Sequence, residues 1–165
     1  MTVRARATVH SIDKNQYHNG KTALVVDDDK SVRRVFTKGL QARGFMVDTA
    51  ETGKEALDKI RDRAYDVALI DARLPDMNGL DLLNVMEANS PDMTKIVITG
   101  YPTTEGGIKA LEEGADAYLV KPVRREELLR VIEENLEKRK PSQKRPFSIQ
   151  RVLQEKQDSE ETEKK

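Results

Sequence analysis

Hydrophobic positions along the chain fall in short runs, each ending in a polar residue. Leu24-Val25-Val26 leads into Asp27-Asp28-Asp29, Val67-Ala68-Leu69-Ile70 into Asp71, Ile96-Val97-Ile98 into Thr99-Gly100, and Tyr118-Leu119-Val120 into Lys121-Pro122. Such runs, apolar and rich in β-branched residues, suit strands buried on both faces of a parallel sheet. Between them the spacing turns helical. Val32, Val35, Phe36 and Leu40 mark a first helix, stopped at Gly44, and Ala56, Leu57 and Ile60 mark a second within 51–62. Phe45 to Thr49 forms a short strand between these two helices. Leu80, Leu83, Val85 and Met86 follow a loop marked by Pro75, Asn78 and Gly79. A fourth helix is expected near 105–113, closed by Gly114, and a fifth after Pro122, carrying Leu128, Leu129, Ile132 and Leu136. Five strand–helix units with short connections predict an α/β fold with a right-handed, doubly wound, five-stranded parallel sheet.

In such a sheet the ligand crevice lies outside the carboxyl ends of the strands. The polar residues that end the runs therefore converge: Asp27, Asp28 and Asp71 bring carboxylates, Thr99 a hydroxyl and Lys121 an amine. Crowded carboxylates repel one another, and a bound cation relieves that repulsion. Magnesium suits oxygen ligands at roughly 2.0–2.1 Å and leaves positions for water and phosphate. Side chains of adjacent residues diverge on an extended chain, so Asp27 and Asp28 share a crevice only if the chain turns there. An adjacent Asp pair is also a common helix cap.

Composition narrows the function classes. The 165 residues contain no cysteine, which removes disulfides, zinc–thiolate sites and thiol catalysis. Both histidines, His10 and His18, precede the first strand, so a histidine triad or histidine metal cluster within the domain is not expected. The core is mostly aliphatic, since only 4% of residues are aromatic. No apolar stretch approaches the ~20 residues of a membrane span, and the N-terminus lacks the apolar segment of a signal peptide, so a cytoplasmic protein without membrane insertion is expected. The central region is net acidic and both ends are net basic, which suits solvated tails more simply than a docking function.

The segments Val25-Val26-Asp27-Asp28-Asp29, Asp71-Ala72-Arg73-Leu74-Pro75-Asp76-Met77-Asn78-Gly79, Thr99-Gly100 and Lys121-Pro122 resemble, in order and spacing, the CheY-like receiver domain of response regulators in two-component signalling. The resemblance covers about Lys21 to Lys138. It implies a flavodoxin-like (βα)5 fold with strand order 2-1-3-4-5. It further implies Asp71 as phosphoacceptor, Asp28 as direct Mg2+ ligand (Mn2+ as substitute), Asp27 as a ligand through water or an assisting group, and the backbone carbonyl of Arg73 as a further ligand. Lys121 would supply positive charge to phosphoryl oxygens, Thr99 a hydroxyl, and Tyr118 the aromatic that moves with Thr99. The Lys121–Pro122 bond is expected to be cis. Arg73 and Tyr101 stand where the family tunes phosphoryl lifetime. The implied partners are a sensor histidine kinase or phosphotransfer protein and a downstream protein reached through the α4–β5–α5 face.

Some residues depart from the common pattern. Gly106 and Gly107 each cost about 0.8–1.0 kcal/mol inside a helix, so the fourth helix should fray or start late. Ala117 and Val123 replace residues common in family dimers, which weighs against a standard homodimer but leaves one open. Lys121 on a loop, ion-paired to Asp28, is the plain alternative to a catalytic lysine. An aspartate-nucleophile phosphatase is the rival function, but such enzymes place a second aspartate two residues after the nucleophile, where this chain has Arg73. A receiver cut from a transcription regulator is another.

Residues 1–20 suggest a flexible leader, 21–140 the domain, and 141–165 a polar tail. In that tail, Pro146 could open a short amphipathic helix carrying Ile149, Val152 and Leu153. The tail is too short for a helix-turn-helix unit, so direct nucleic-acid binding is not expected. A self-phosphorylating switch, not a turnover enzyme, is the resulting expectation.

Overall fold

The computed structural model describes residues 20–139. In chain order the elements are β1 (Thr22–Val26), α1 (Lys30–Gln41), β2 (Met46–Ala50), α2 (Gly53–Asp62), β3 (Val67–Asp71), α3 (Gly79–Asn89), β4 (Thr94–Thr99), α4 (Thr104–Glu112), β5 (Ala117–Val120) and α5 (Arg125–Lys138). The strands form one parallel sheet in the order β2-β1-β3-β4-β5, the predicted doubly wound topology. The expected leader, apart from Gly20, and the expected tail helix lie outside the described residues.

Alternation along each strand sends successive side chains to opposite faces, and the two faces build two cores. Leu24, Val26, Ala68, Ile70 and Val97 pack with Ala56 of α2, Leu82, Leu83 and Met86 of α3, and Ala110 of α4. Ala23, Val25, Val67, Leu69, Ile96 and Ile98 pack with Phe36 and Leu40 of α1 and with Leu128, Leu129 and Ile132 of α5. Each fully buried aliphatic side chain contributes roughly 1.5–3 kcal/mol, so these central strands dominate stability. The register then sets the site. Val26 pairs with Ile70, Asp71 with Ile98 and Thr99 with Val120, so the polar residues that follow lie along one edge.

Burial on both faces holds for β1, β3 and β4 but not for β5, which is half-buried and ends at an exposed Val120. It has a neighbour only at β4, so its outer side lacks a strand to cover it. Val35 and Val85, placed on apolar helix faces by spacing, are likewise exposed. Helix α4 does not start late. Thr103 caps it by accepting from the Gly106 N–H at 2.9 Å, and such a cap is worth about 1 kcal/mol. The two glycines have a packing use: a Cβ on Gly106 would lie 3.3 Å from the Tyr118 hydroxyl, and one on Gly107 3.5 Å from its ring. The half-buried Tyr118 thus lies over the opening turns of α4.

Strand β4 contains a charge that the apolar pattern did not anticipate. Lys95 is 0% exposed. Its Nζ donates to the Met93 carbonyl at 2.7 Å and pairs with Glu87 of α3 at 2.7 Å. Burial holds its pKa below the ordinary lysine value, against the opposing pull of Glu87. A buried ion pair often stabilises no more than an apolar side chain of the same volume, whereas removing one partner is costly. Lys95→Met leaves only the partly exposed Glu87 without its partner, whereas Glu87→Ala strands a fully buried charge, so Lys95→Met is expected to be the milder loss. Glu87→Ala is expected to cost on the order of 1–3 kcal/mol, below the fully buried case because Glu87 is partly exposed. Urea unfolding of both variants checks the order; a larger loss for Lys95→Met contradicts it. Among the described residues, no helix is long and apolar enough to cross a membrane.

Candidate functional site

The three acidic residues after β1 separate into different tasks. Asp29 is the cap of α1, its carboxylate accepting from the N–H groups of Ser31 at 2.7 Å and Val32 at 3.3 Å. Asp27 is 2% exposed and accepts from the Asp29 N–H at 2.9 Å, which closes a tight turn. Asp28 is exposed at the rim. Carboxylate oxygens of Asp27, Asp28 and Asp71 lie within 4.8 Å of one another. Such an all-oxygen, triply anionic donor set fits a hard divalent cation.

Lys121 reaches this cluster from the end of β5. Its Nζ lies 2.8 Å from Asp27 Oδ2 and 3.3 Å from Asp71 Oδ2. The expected alternative partner, Asp28, is not the one it takes, because Asp27 is the inward member of the pair. Burial works to lower the Lys121 pKa, but the bond to Asp27 and the charges of Asp27 and Asp71 outweigh it and hold it above the ordinary lysine value. Asp71 goes the other way from most paired carboxylates. Burial pushes its pKa up, Asp27 adds repulsion, and the Arg73 N–H and Lys121 only partly offset them. The Lys121–Pro122 bond is cis, as the resemblance implied.

Neighbouring groups hold Asp71 and Thr99. The Arg73 N–H donates to Asp71 Oδ1 at 3.1 Å. Gly79, at the start of α3, packs directly on the end of β3: its N–H donates to the Ala72 carbonyl at 2.9 Å, and a Cβ would sit 2.2 Å from the Asp71 carbonyl oxygen. Thr99 is buried, and its hydroxyl accepts from the Tyr101 N–H at 3.0 Å. The side chains that follow each by two residues meet, with the Arg73 guanidinium 3.8 Å from the centre of the Tyr101 ring. That distance is well within cation–π range.

Every site residue expected from the sequence thus falls at this one end of the sheet, apart from Tyr118, which lies beside α4. Two supporting residues went unread. Arg33 is buried beneath the β1–α1 turn. Asp76 accepts from the N–H groups of Gly53 and Lys54, both at 2.9 Å, and so fastens the β3–α3 loop to the start of α2. These bonds hold the Asp76 carboxyl below its ordinary pKa. One signal for Arg33 was visible: it lies three residues before Phe36 and seven before Leu40, on an otherwise apolar stripe. Asp76 looked like any loop residue.

Comparison with known proteins places this geometry in a family. The model of the response regulator receiver domain matches residues 23–133. The acid tolerance regulatory protein ActR of Rhizobium meliloti is 33% identical over 143 residues, spanning 87% of this chain and 74% of that protein. A CheY-like receiver domain protein from Methanospirillum hungatei has a crystal structure that is 39% identical, with a TM-score of 0.70, covering 72% of this chain and 95% of that one. A response regulator from Burkholderia pseudomallei, solved with a phosphorylated aspartic acid, a calcium ion and citrate, is 30% identical, with a TM-score of 0.67, covering 72% of this chain and 69% of that one. The chain belongs to the response regulator receiver domain family of two-component signalling.

Proposed function

We propose that the domain is a phosphorylation switch in which Asp71 accepts a phosphoryl group from a sensor histidine kinase or a phosphotransfer protein. The observation that carries this reading is the convergence of three carboxylates within 4.8 Å, two of them bridged by one ammonium. Asp27, Asp28, Asp71 and the Arg73 backbone carbonyl would hold Mg2+, or Mn2+ in its place. When bound, the cation neutralises the crowded carboxylates and the phosphoryl oxygens.

The chain's own groups divide the remaining work. An Asp71 carboxylate oxygen attacks phosphorus as the P–N bond of a phosphohistidine breaks, and the imidazole nitrogen keeps the electron pair and takes a proton. Lys121, already beside Asp71, turns its ammonium to a phosphoryl oxygen. Thr99 uses its hydroxyl oxygen to accept from Tyr101, which leaves its proton free to donate to the phosphoryl group. A shift of Thr99 toward that group opens space for Tyr118, whose ring borders Gly106 and Gly107. The exposed Ile108 and Leu111 of α4 and Val120 of β5 support output by protein contact through the α4–β5–α5 face. Arg73, stacked on Tyr101, is no acid–base partner for an external substrate, which supports a switch over a phosphatase.

Incubation with acetyl phosphate and Mg2+, followed by intact mass and a free-phosphate assay, tests this reading. A lasting single adduct supports a switch. Rapid phosphate release without an adduct indicates a phosphatase, and no reaction indicates a binding module. The cation role has its own test. Melting curves with and without Mg2+ are expected to show a gain for the wild type, about 2.7 kcal/mol at a hundredfold excess over Kd, and little gain for Asp28→Ala. Equal gains in both proteins contradict the ligand role.

A further inference from the structure

The convergence of Asp27 and Asp28 on one pocket needs a cause, because adjacent side chains on an extended chain point apart. Beside the Asp29 N–H bond to Asp27 that closes the turn, a second cause lies in α1. Arg33 is 8% exposed, although arginine is seldom buried unless paired. Its Nη1 donates to the carbonyl oxygens of both Asp27, at 2.7 Å, and Asp28, at 3.0 Å. Its Nη2 donates to Glu51 Oε1 at 2.6 Å. Successive carbonyls of a strand point in opposite directions, so one nitrogen can reach both only if the backbone has turned. The guanidinium therefore selects the turned form of Asp27–Asp28 over the extended one. The Glu51 backbone behind that contact is tied in turn, since its N–H donates to Glu55 Oε2 at 2.9 Å.

We propose that Arg33 is a positioning residue of the cation site, holding the Asp27–Asp28 turn in the form that aims both carboxylates toward Asp71. The inference rests on the pocket being a Mg2+ site, and it deepens that reading. Charge alone gives the opposite sign. Arg33 is a permanent cation near a site for a dication, so electrostatics by itself predicts tighter Mg2+ binding once it is removed. Positioning predicts weaker binding.

Calorimetric Mg2+ titrations of the full chain, as wild type, Arg33→Gln and Arg33→Lys, decide between them, with metal-free melting curves recorded alongside. Failure of the wild type to bind Mg2+ overturns the pocket reading itself. Given wild-type binding, Arg33→Gln is expected to raise the Mg2+ dissociation constant by roughly 10–100-fold, the loss typical of groups that orient metal ligands. Arg33→Lys keeps the charge but lacks the planar fork, so it should recover only part of the affinity. At saturating Mg2+, labelling of Asp71 by acetyl phosphate should return toward the wild-type rate, because Arg33 touches no reacting atom. A residue that only supports the fold would lower the melting temperature and leave the dissociation constant unmoved. Unchanged or tighter Mg2+ binding by folded Arg33→Gln overturns the proposal. Should that variant not fold, Arg33→Lys decides: charge alone predicts no change, so an unchanged affinity overturns the proposal and a weakened one supports it.

Discussion

Asp71→Asn is expected to abolish phosphoryl labelling while raising the melting temperature of the metal-free domain at neutral pH. An amide cannot form an acyl phosphate, yet it fills the same space. The stability gain follows from the electrostatics of the pocket. Burial and then Asp27 disfavour the charged form of Asp71, and its pKa in the folded state lies above the ordinary value. The folded state therefore holds the proton more tightly than the unfolded chain, and stability falls as pH rises through that interval. The decline begins near the unfolded value of about 3.9 and is complete above the raised folded value. Asparagine removes this loss. Lys121 forfeits its longer contact, at 3.3 Å, but keeps Asp27 at 2.8 Å. A rise of a few degrees is expected, since ~1 kcal/mol moves the midpoint of a domain this size by about 2–8 °C. The advantage should vanish below about pH 4, where the unfolded carboxyl is protonated too. Melting curves from pH 3 to pH 8 on both proteins check the sign. A lower midpoint for the variant at neutral pH contradicts it.

Gly79→Ala is expected to damage fold and site together. The added Cβ would lie 2.2 Å from the Asp71 carbonyl oxygen and 2.8 Å from the Ala72 Cα. Both are backbone atoms, so no rotamer change relieves the clash. Either α3 moves off the end of β3 or the Asp71 peptide shifts. Overpacking of this kind typically costs 1–3 kcal/mol, and a backbone collision should reach about the upper end. Because the displaced peptide carries Asp71, the rate of labelling by acetyl phosphate should fall more than the lost stability alone explains. Denaturation gives the first quantity, and labelling at a temperature where the variant is fully folded gives the second. A variant as stable and as reactive as the wild type contradicts the contact.

The fold was legible because β1, β3 and β4 carry continuous apolar runs that only a sheet covered on both faces explains. The site was legible because each run ends in a chemically distinct residue, and parallel strands bring those ends to one edge. What went unread has physical reasons. Nothing in the fourth apolar run shows that Lys95 is buried with a partner, because that partner, Glu87, lies on the preceding helix, a pairing that only the packed structure reveals. The glycines of α4 looked like helix breakers because their use is to make room for Tyr118, a contact between elements. The cap of α1 falls to Asp29 and not to the Asp27–Asp28 pair, a choice that only the turn fixes. Arg33 acts on backbone carbonyls, which carry no sequence signature at all. Local pattern thus specified what each element is, while the interactions that aim side chains within the site lie between elements.

The central claim is that phosphoryl transfer occurs on Asp71 and depends on the adjoining carboxylates holding a cation. Borohydride reduction tests it most directly, since it converts an aspartyl phosphate to homoserine at the position that carried it. The full chain would be treated with acetyl phosphate, with and without Mg2+, then reduced and mapped by peptide mass spectrometry. Homoserine at Asp71 alone, and only with Mg2+, is the expected result. Homoserine at Asp27, Asp28 or Asp29, or equal labelling of Asp71 without the cation, would contradict the account.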